Sequence, residues 1–340
     1  MQPSAEGLPA EDLATEAMSV EAMSVEEVSV EEVSAEELPG AVLVVVTWNS
    51  ADVLPGLLES LAFGMVGLRW RLVVADNDSA DGTADLVRTE APDALLVQTG
   101  RNAGYAAAIN AALDAVGPLD KETDAVLVCN PDIRMEPGCG AALVRGLERS
   151  GTGITAPALF DGDGRMIRTL RREPSPLRLL GEMVLGAHRS GRFAALGEQV
   201  ADPHAYSGPT RADWVAGSLM ALSRECVEAC GPWDESFFLY SEETEYALRA
   251  RSCGFATRLA PDAVAVHLEG EAAVSPRLWT LLTVNRVRLY RRTHGAVAVA
   301  AFWSALVLRE GSRALLGRAS SRAAVRALVS PARMRAKPGP

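Results

Sequence analysis

An aromatic run leads straight into a cluster of carboxylates at one place in this chain: Trp233-Asp234-Glu235-Ser236-Phe237-Phe238-Leu239-Tyr240-Ser241-Glu242-Glu243. With aromatic residues leading into adjacent carboxylates at a helix start, the stretch reads as the acceptor side of an active site. Ser241 is placed as the N-cap of a helix, Glu242 and Glu243 fall in its first turn, and Gly254 stands where that helix should stop. An acidic first turn is equally what an ordinary capped helix carries.

More carboxylates occur where apolar runs end. Val42–Val46 is a short apolar run followed by Thr47-Trp48-Asn49-Ser50 and a helical pattern through Leu61. The unit repeats, with Leu72–Ala75 ending in Asp76-Asn77-Asp78-Ser79-Ala80-Asp81 before a helix near 81–89. Leu95–Val97 leads through Gly100-Arg101-Asn102-Ala103-Gly104-Tyr105 into an alanine-rich helix over 106–116, and Ala125–Cys129 ends in Asn130-Pro131-Asp132. Continuous apolar strands alternating with helices predict a mostly parallel α/β sheet covered on both faces, with ligands at the strand C-terminal ends.

No GxGxxG follows the first strand, and GxxxxGK[ST] is absent, so neither a dinucleotide cofactor nor a P-loop is supported. A carboxylate such as Asp76, with Asn77 and Asp81 beside it, can accept the ring N–H of uracil or thymine. Asp132 can hold a divalent cation against a diphosphate. Together they suit the use of a nucleotide-sugar.

The 340 residues are 48% hydrophobic, enough for a large core, and the net charge of −11 is unevenly spread. Residues 1–40 hold 11 acidic and no basic side chains, with MSVEA-MSVEE-VSVEE-VSAEE over 18–37, and read as a disordered acidic repeat tail. Residues 41–267 carry net −10, and residues from 268 onward net +10. An acidic core argues against nucleic acid as a partner. Five cysteines without a CxxC pair fit a reducing cytoplasmic compartment, and the acidic start is not a secretory signal.

The segments VVVTWNSADVLPGLLESL, VVADNDSADGT, NAGYAAAIN, CNPD, WVAGSLMALSRE and GPWDESFFLYSEETEYALRARSCGF, in that order over roughly 41–294, resemble a family 2 glycosyltransferase. The resemblance implies the GT-A (nucleotide-diphospho-sugar transferase) fold, a Rossmann-like sheet with helices on both faces plus C-terminal helices. Within the family the chain is most similar to bacterial rhamnosyltransferases acting on lipid-linked or polysaccharide acceptors in cell-wall and surface-glycan assembly.

By that resemblance Thr47 and Asn49 line the nucleotide pocket, Asp76 reads the base, and Arg101, Asn102, Gly104 and Asn110 flank the nucleotide and diphosphate. The family's metal-binding DxD stands here as Asn130-Pro131-Asp132, so Asn130 keeps a hydrogen bond to the ribose and Asp132 alone keeps a carboxylate. Mg2+ or Mn2+ would bridge Asp132 and the phosphates, with His267 a further ligand or simply a histidine at a strand end. The family's acidic pair is Glu then Asp; here it is Glu242 and Glu243, with Glu243 taken as the base of an inverting transfer. Trp214, Gly217 and Ser218, in a strand over 214–222, would lie under the sugars, and Trp233, Phe237, Phe238 and Tyr240 would wall the cleft or pack the core. A non-catalytic sugar-nucleotide-binding subunit and a sugar nucleotidyltransferase are the competing readings.

Residues 161–211 hold one apolar helix, Leu177–Leu185, and otherwise read as mobile loops over the acceptor cleft. A helix is predicted over 276–292, followed by a basic arm, 295–340, carrying the apolar run Ala296–Leu308. Thirteen residues fall short of the ~20 that span a bilayer. The arm is expected to lie on an anionic membrane surface at the inner face of the plasma membrane, and a chain ending at His294 to stay soluble.

Overall fold

The fold is described from a computed structural model covering residues 38–268, 275–336 and Gly339. The acidic repeats, residues 1–37, lie outside the described residues.

Four βα units open the chain: β1 (Gly40–Thr47) and α1 (Leu54–Gly64), β2 (Arg69–Asp76) and α2 (Thr83–Glu90), β3 (Leu95–Gln98) and α3 (Tyr105–Val116), then β4 (Ala125–Cys129), the short β5 (Ile133–Met135) and α4 (Cys139–Leu147). The central strand β1 is buried along its whole length. Leu43 and Val45 face one apolar cluster and Val42, Val44 and Val46 the other, which is why the strand reads as an unbroken apolar run.

The second half interleaves with the first. It runs through β6 (Thr152–Asp161), β7 (Met166–Ile167), β8 (Leu170–Arg171), α5 (Pro176–Leu185), α6 (Ala187–Ser190), β9 (Arg211–Ala212), β10 (Trp214–Val215), β11 (Leu219–Ser223), α7 (Arg224–Cys230), α8 (Glu242–Ser252) and β12 (Ala256–His267). The main sheet has the order β3-β2-β1-β4-β11-β6-β12-β5. Its first four strands are parallel, β11 runs antiparallel to β4 and β6, and β12 is parallel to β6 but antiparallel to β5. The sheet is thus mixed, with a parallel block where the sequence pattern is most regular.

Two registers place the site. Thr47 pairs with Asp76 and Asp76 with Gln98, so the loops after β1, β2 and β3 leave the sheet side by side. Leu219 pairs with Cys129 in the antiparallel sense, so the start of β11 meets the end of β4. The strand expected over 214–222 is in fact two. Trp214–Val215 pairs with β8 in a separate two-stranded sheet, and the chain breaks at Gly217-Ser218 before β11 joins the main sheet.

Residues 161–211 are more tethered than the loops expected from their composition. Arg172 donates to the carbonyls of Gly191, Gly197 and Gln199, and the backbone N–H of Glu198 donates to Glu182. The chain closes with α9 (Pro276–Thr293), α10 (Ala296–Leu315), α11 (Ala319–Leu328) and α12 (Pro331–Arg335). Phe302, Ala305 and Leu306 of α10 are buried with Leu179 of α5, Val287 and Tyr290 of α9 and Leu328 of α11. Behind them Arg309 pairs with Glu182 and Glu310, all three buried. One face of the apolar run, Phe302, Ala305 and Leu306, is thus packed inward, while Val297 and Leu308 stay exposed. Removing one buried Phe costs about 3–5 kcal/mol, so a chain ending at His294 would lose packing that covers Leu179, Val287 and Tyr290. Among the described residues no helix is long and apolar enough to cross a membrane.

Candidate active site

Asp76, at the end of β2, has no accessible surface. One of its oxygens accepts the hydroxyls of Thr47 at 2.8 Å and Ser79 at 2.5 Å, and the other accepts the Ser79 N–H. The backbone N–H of Asn49 donates to Ser79 Oγ, and Ala80 N–H returns a bond to Asn49 Oδ1. Asp81 accepts the N–H of Ala51 and both the N–H and hydroxyl of Thr83. Its slight burial works against ionisation, but these bonds hold its carboxyl below the ordinary range.

These residues form a closed network that fastens the loop after β2 to the loop after β1. Asp76 and Thr47 therefore do not face solvent; Asn49 does, with its backbone at φ 51°. Asn77 is also turned inward, donating to Gly104 O and accepting from Ala103 N–H and the Thr99 hydroxyl. Asn110 is buried as well. Its amide bonds Trp233 N–H, Trp233 O and Glu235, and so ties α3 to the loop before the acidic pair. Arg101 is exposed, Asn102 accepts Gly104 N–H, and Gly104 sits at φ 92°. A Cβ on Gly104 would lie 2.3 Å from Phe238 O, so glycine is needed for this close approach.

A second group of residues does converge. Tyr105, which follows Gly104, donates its hydroxyl to Asn130 Oδ1 at 2.9 Å and lies 3.3 Å from Gly217 O. Asn130 N–H donates to Ser218 O at 2.8 Å. Gly217 lies against Glu243, since a Cβ built on it would be 3.2 Å from Glu243 Cβ. Burial, then the charges of Cys129, Glu242, Glu243 and Asp132, push the Tyr105 hydroxyl far above its ordinary value and keep it a neutral donor. Tyr105 was not among the residues expected from the sequence; its place in NAGY was the available signal.

Glu242 and Glu243 each keep one buried carboxylate oxygen without a partner. Burial raises the Glu242 carboxyl well above the usual range, and the charge of Glu243 raises it further. Burial also raises Glu243, but the backbone N–H groups of Glu243, Ser241 and Thr244 and the charge of Arg171 oppose the rise. Both carboxyls are thus shifted toward the neutral acid, Glu242 more strongly than Glu243. Arg171 lies 5.9 Å from the ring centre of half-buried Trp214, whose indole N–H donates to Arg172 O. It is a further residue that the sequence reading did not single out.

Ser241 is not the side-chain cap expected. It has φ 79°, makes no capping bond, and follows Tyr240 at φ 67°. Two consecutive non-glycine residues in the left-handed region are strained, and such strain concentrates at functional sites. Asn285 of α9 donates to the carbonyls of both Leu239 and Tyr240. Trp233 and Phe237 are core residues and not a cleft wall: Trp233 stacks on Tyr246 with centroids 4.3 Å apart, and both are nearly inaccessible. Tyr240 and Phe238 remain half-exposed.

Asp132 and His267 meet because the end of β12 pairs with β5, bringing His267 Nε2 to 3.0 Å from Asp132 Oδ2. Asp132 Oδ1 is buried without a partner. An imidazole and a carboxylate with one free oxygen are an acceptable donor set for Mg2+ or Mn2+ whose remaining ligands come from a diphosphate. Among the described residues no three His, Cys, Asp or Glu side chains gather for a cation held by protein alone.

The chain is similar to known proteins in sequence and in fold. Residues 42–196 match the model of glycosyl transferase family 2. An N-acetylglucosaminyl-diphospho-decaprenol L-rhamnosyltransferase of Mycobacterium tuberculosis is 28% identical over 234 residues, which is 66% of this chain and 75% of that protein. Among solved structures, a mannosyltransferase from Pyrobaculum calidifontis, in complex with GDP-Man and Mn2+, aligns over 88% of this chain and 83% of its own. Its TM-score is 0.50 at 17% identity. GalNAc-T7, solved with UDP, GalNAc and Mn2+, aligns with TM-score 0.51 at 17% identity over 75% of this chain, which spans 48% of that protein. These structural likenesses concern the fold.

Proposed function

We propose that this chain, which carries a family 2 glycosyltransferase domain on a GT-A fold, transfers a sugar from a nucleotide-sugar to an acceptor hydroxyl with inversion, using Glu243 as general base. The observation that carries the reading is the buried pair Glu242–Glu243. Each has an unpaired oxygen, and Glu243 lies against Gly217 beside the Tyr105–Asn130 bond. The acceptor oxygen attacks the anomeric carbon from the face opposite the nucleotide while Glu243 takes its proton. Glu242, held neutral, adds no second charge next to the base. Trp214 and Tyr240, both half-exposed, would border the sugars, and exposed Arg101 would meet the diphosphate.

A divalent cation, Mg2+ or Mn2+, would be held by Asp132 and His267 and, when bound, offsets negative charge on the departing diphosphate. The mycobacterial relative, by its name an L-rhamnosyltransferase acting on a diphospho-decaprenol-linked sugar, supports L-rhamnose as the sugar and a lipid-linked acceptor; dTDP-rhamnose is then the donor proposed, and cell-wall assembly the setting. Work on such an acceptor would place the chain at the inner face of the plasma membrane. Nucleoside diphosphate release from UDP-, GDP- and dTDP-sugars, with and without a polyprenyl-diphospho-sugar acceptor, tests the proposal. Acceptor-dependent release from one donor supports it, and tight donor binding without release would leave a non-catalytic binding protein.

A further inference from the structure

We infer that Asn285 of α9 is a positioning residue for the acidic pair, holding the left-handed Tyr240–Ser241 turn, and that the C-terminal segment Met334–Ala336 orients Asn285 through Arg288. The inference rests on the reading of Glu243 as the base. It begins from the strain: Tyr240 and Ser241 both have positive φ, neither is glycine, and the Ser241 side chain makes no capping bond. A backbone of this kind persists only where its surroundings over-determine it.

Asn285 supplies those surroundings. It is fully buried, and its side-chain N–H groups donate to Leu239 O at 3.0 Å and Tyr240 O at 3.1 Å, the carbonyls just before and within the turn. The amide can present its nitrogen there only if its oxygen points elsewhere. That oxygen accepts from Arg288 Nη1 at 3.1 Å. Arg288 is fixed in turn, its other terminal nitrogen donating to Met334 O at 3.4 Å and to Ala336 O.

One turn further along α9, Arg292 pairs with Asp234, donates to Ser236 Oγ at 2.5 Å and lies 4.7 Å from the Phe237 ring centre. Positions 285, 288 and 292 share one helix face. That face grips the segment 234–241 at both ends, and the segment's last residue leads directly into Glu242 and Glu243. α9 thus acts on the acidic pair through backbone carbonyls.

Full-length wild-type protein, Asn285→Leu and Arg288→Met provide the test. Asn285→Leu keeps the volume but removes both donors, and Arg288→Met acts at a half-buried site that folding tolerates better. Amide hydrogen exchange over residues 238–244 is expected to accelerate at least about tenfold in Asn285→Leu, and less in Arg288→Met, while β1 and β4 keep their protection. Nucleoside diphosphate release should fall at least about tenfold, with the affinity for UDP, GDP or dTDP, whichever binds, changed less than about twofold. A merely structural residue would raise exchange throughout the sheet or weaken nucleotide binding. Unchanged exchange at 238–244 in both variants, or a uniform rise, would overturn the inference. Faster local exchange in a protein whose wild type releases no nucleotide would overturn the proposed function and the catalytic half of this inference, leaving Asn285 as the clamp of the turn.

Discussion

Glu243 rests on Gly217: a methyl group added at Gly217 would lie 3.2 Å from Glu243 Cβ and 3.4 Å from Cγ. Gly217 has ordinary backbone angles, so the space and not the conformation calls for glycine. The relationship ties the break before β11 to the placement of the base, and it makes a local prediction.

Gly217→Ala should displace the Glu243 side chain by a few tenths of an ångström while the fold stays intact. Turnover is expected to fall on the order of tenfold, below the roughly hundredfold that a full 1 Å misplacement can cost. Melting temperature and nucleotide affinity should stay near wild type. Full activity in the alanine variant would show that Glu243 does not need its present position.

The pH dependence follows from the two raised carboxyls. A base must be ionised, and Glu243 is raised by burial, so turnover should fall on acidification at a pH above the usual glutamate range. Glu242 is the more strongly raised and protonates first, so it is already neutral when Glu243 titrates. Glu242→Gln should therefore leave the acidic limb of the rate profile nearly in place. A large acidward shift of that limb in Glu242→Gln would mean that Glu242 is charged in the working enzyme.

Stability carries the opposite sign to activity at Glu242. Its folded-state carboxyl is raised, so the fold favours the protonated form. The stability this contributes is full below the unfolded carboxyl's range and is lost as pH rises through the folded one. Glu242→Gln, which mimics the neutral acid, should melt above wild type at neutral and alkaline pH, with the difference vanishing in acid. Thermal melts across pH decide it, and a lower melting temperature for the variant at alkaline pH would contradict the burial argument.

The parallel half of the fold was legible because β1, β2 and β4 are buried on both faces and read as unbroken apolar runs ending in polar residues. The break at Gly217-Ser218 was less legible, since Trp214–Leu222 carries strand-forming residues on both sides of it and only tertiary pairing separates β10 from β11. The acidic pair was found by its neighbours in sequence, yet the strain at Tyr240 and Ser241 could not be, because nothing local favours positive φ there and the contact that holds it comes from Asn285. Asp76, Asn77 and Asn110 were singled out as polar groups at strand and helix positions near the ligand. Their bonds go to Thr47 and Ser79, to Gly104, and to Trp233 and Glu235, which residue type alone does not reveal.

Asp132→Asn tests the cation site. The unpartnered Asp132 oxygen loses its charge, so the Mn2+-dependent part of nucleoside diphosphate binding should fall at least about tenfold by calorimetry, an effect of removing a ligand charge. Metal-free binding should change little. Equal Mn2+ dependence in wild type and variant would remove Asp132 from the site.

Acceptor-dependent nucleoside diphosphate release by wild type and Glu243→Gln, measured on the donor that binds, tests the central claim most directly. The account predicts that the variant binds donor as tightly as wild type but turns over at least about a hundredfold more slowly, the loss expected on removing a general base. Turnover in Glu243→Gln within a few-fold of wild type would contradict it.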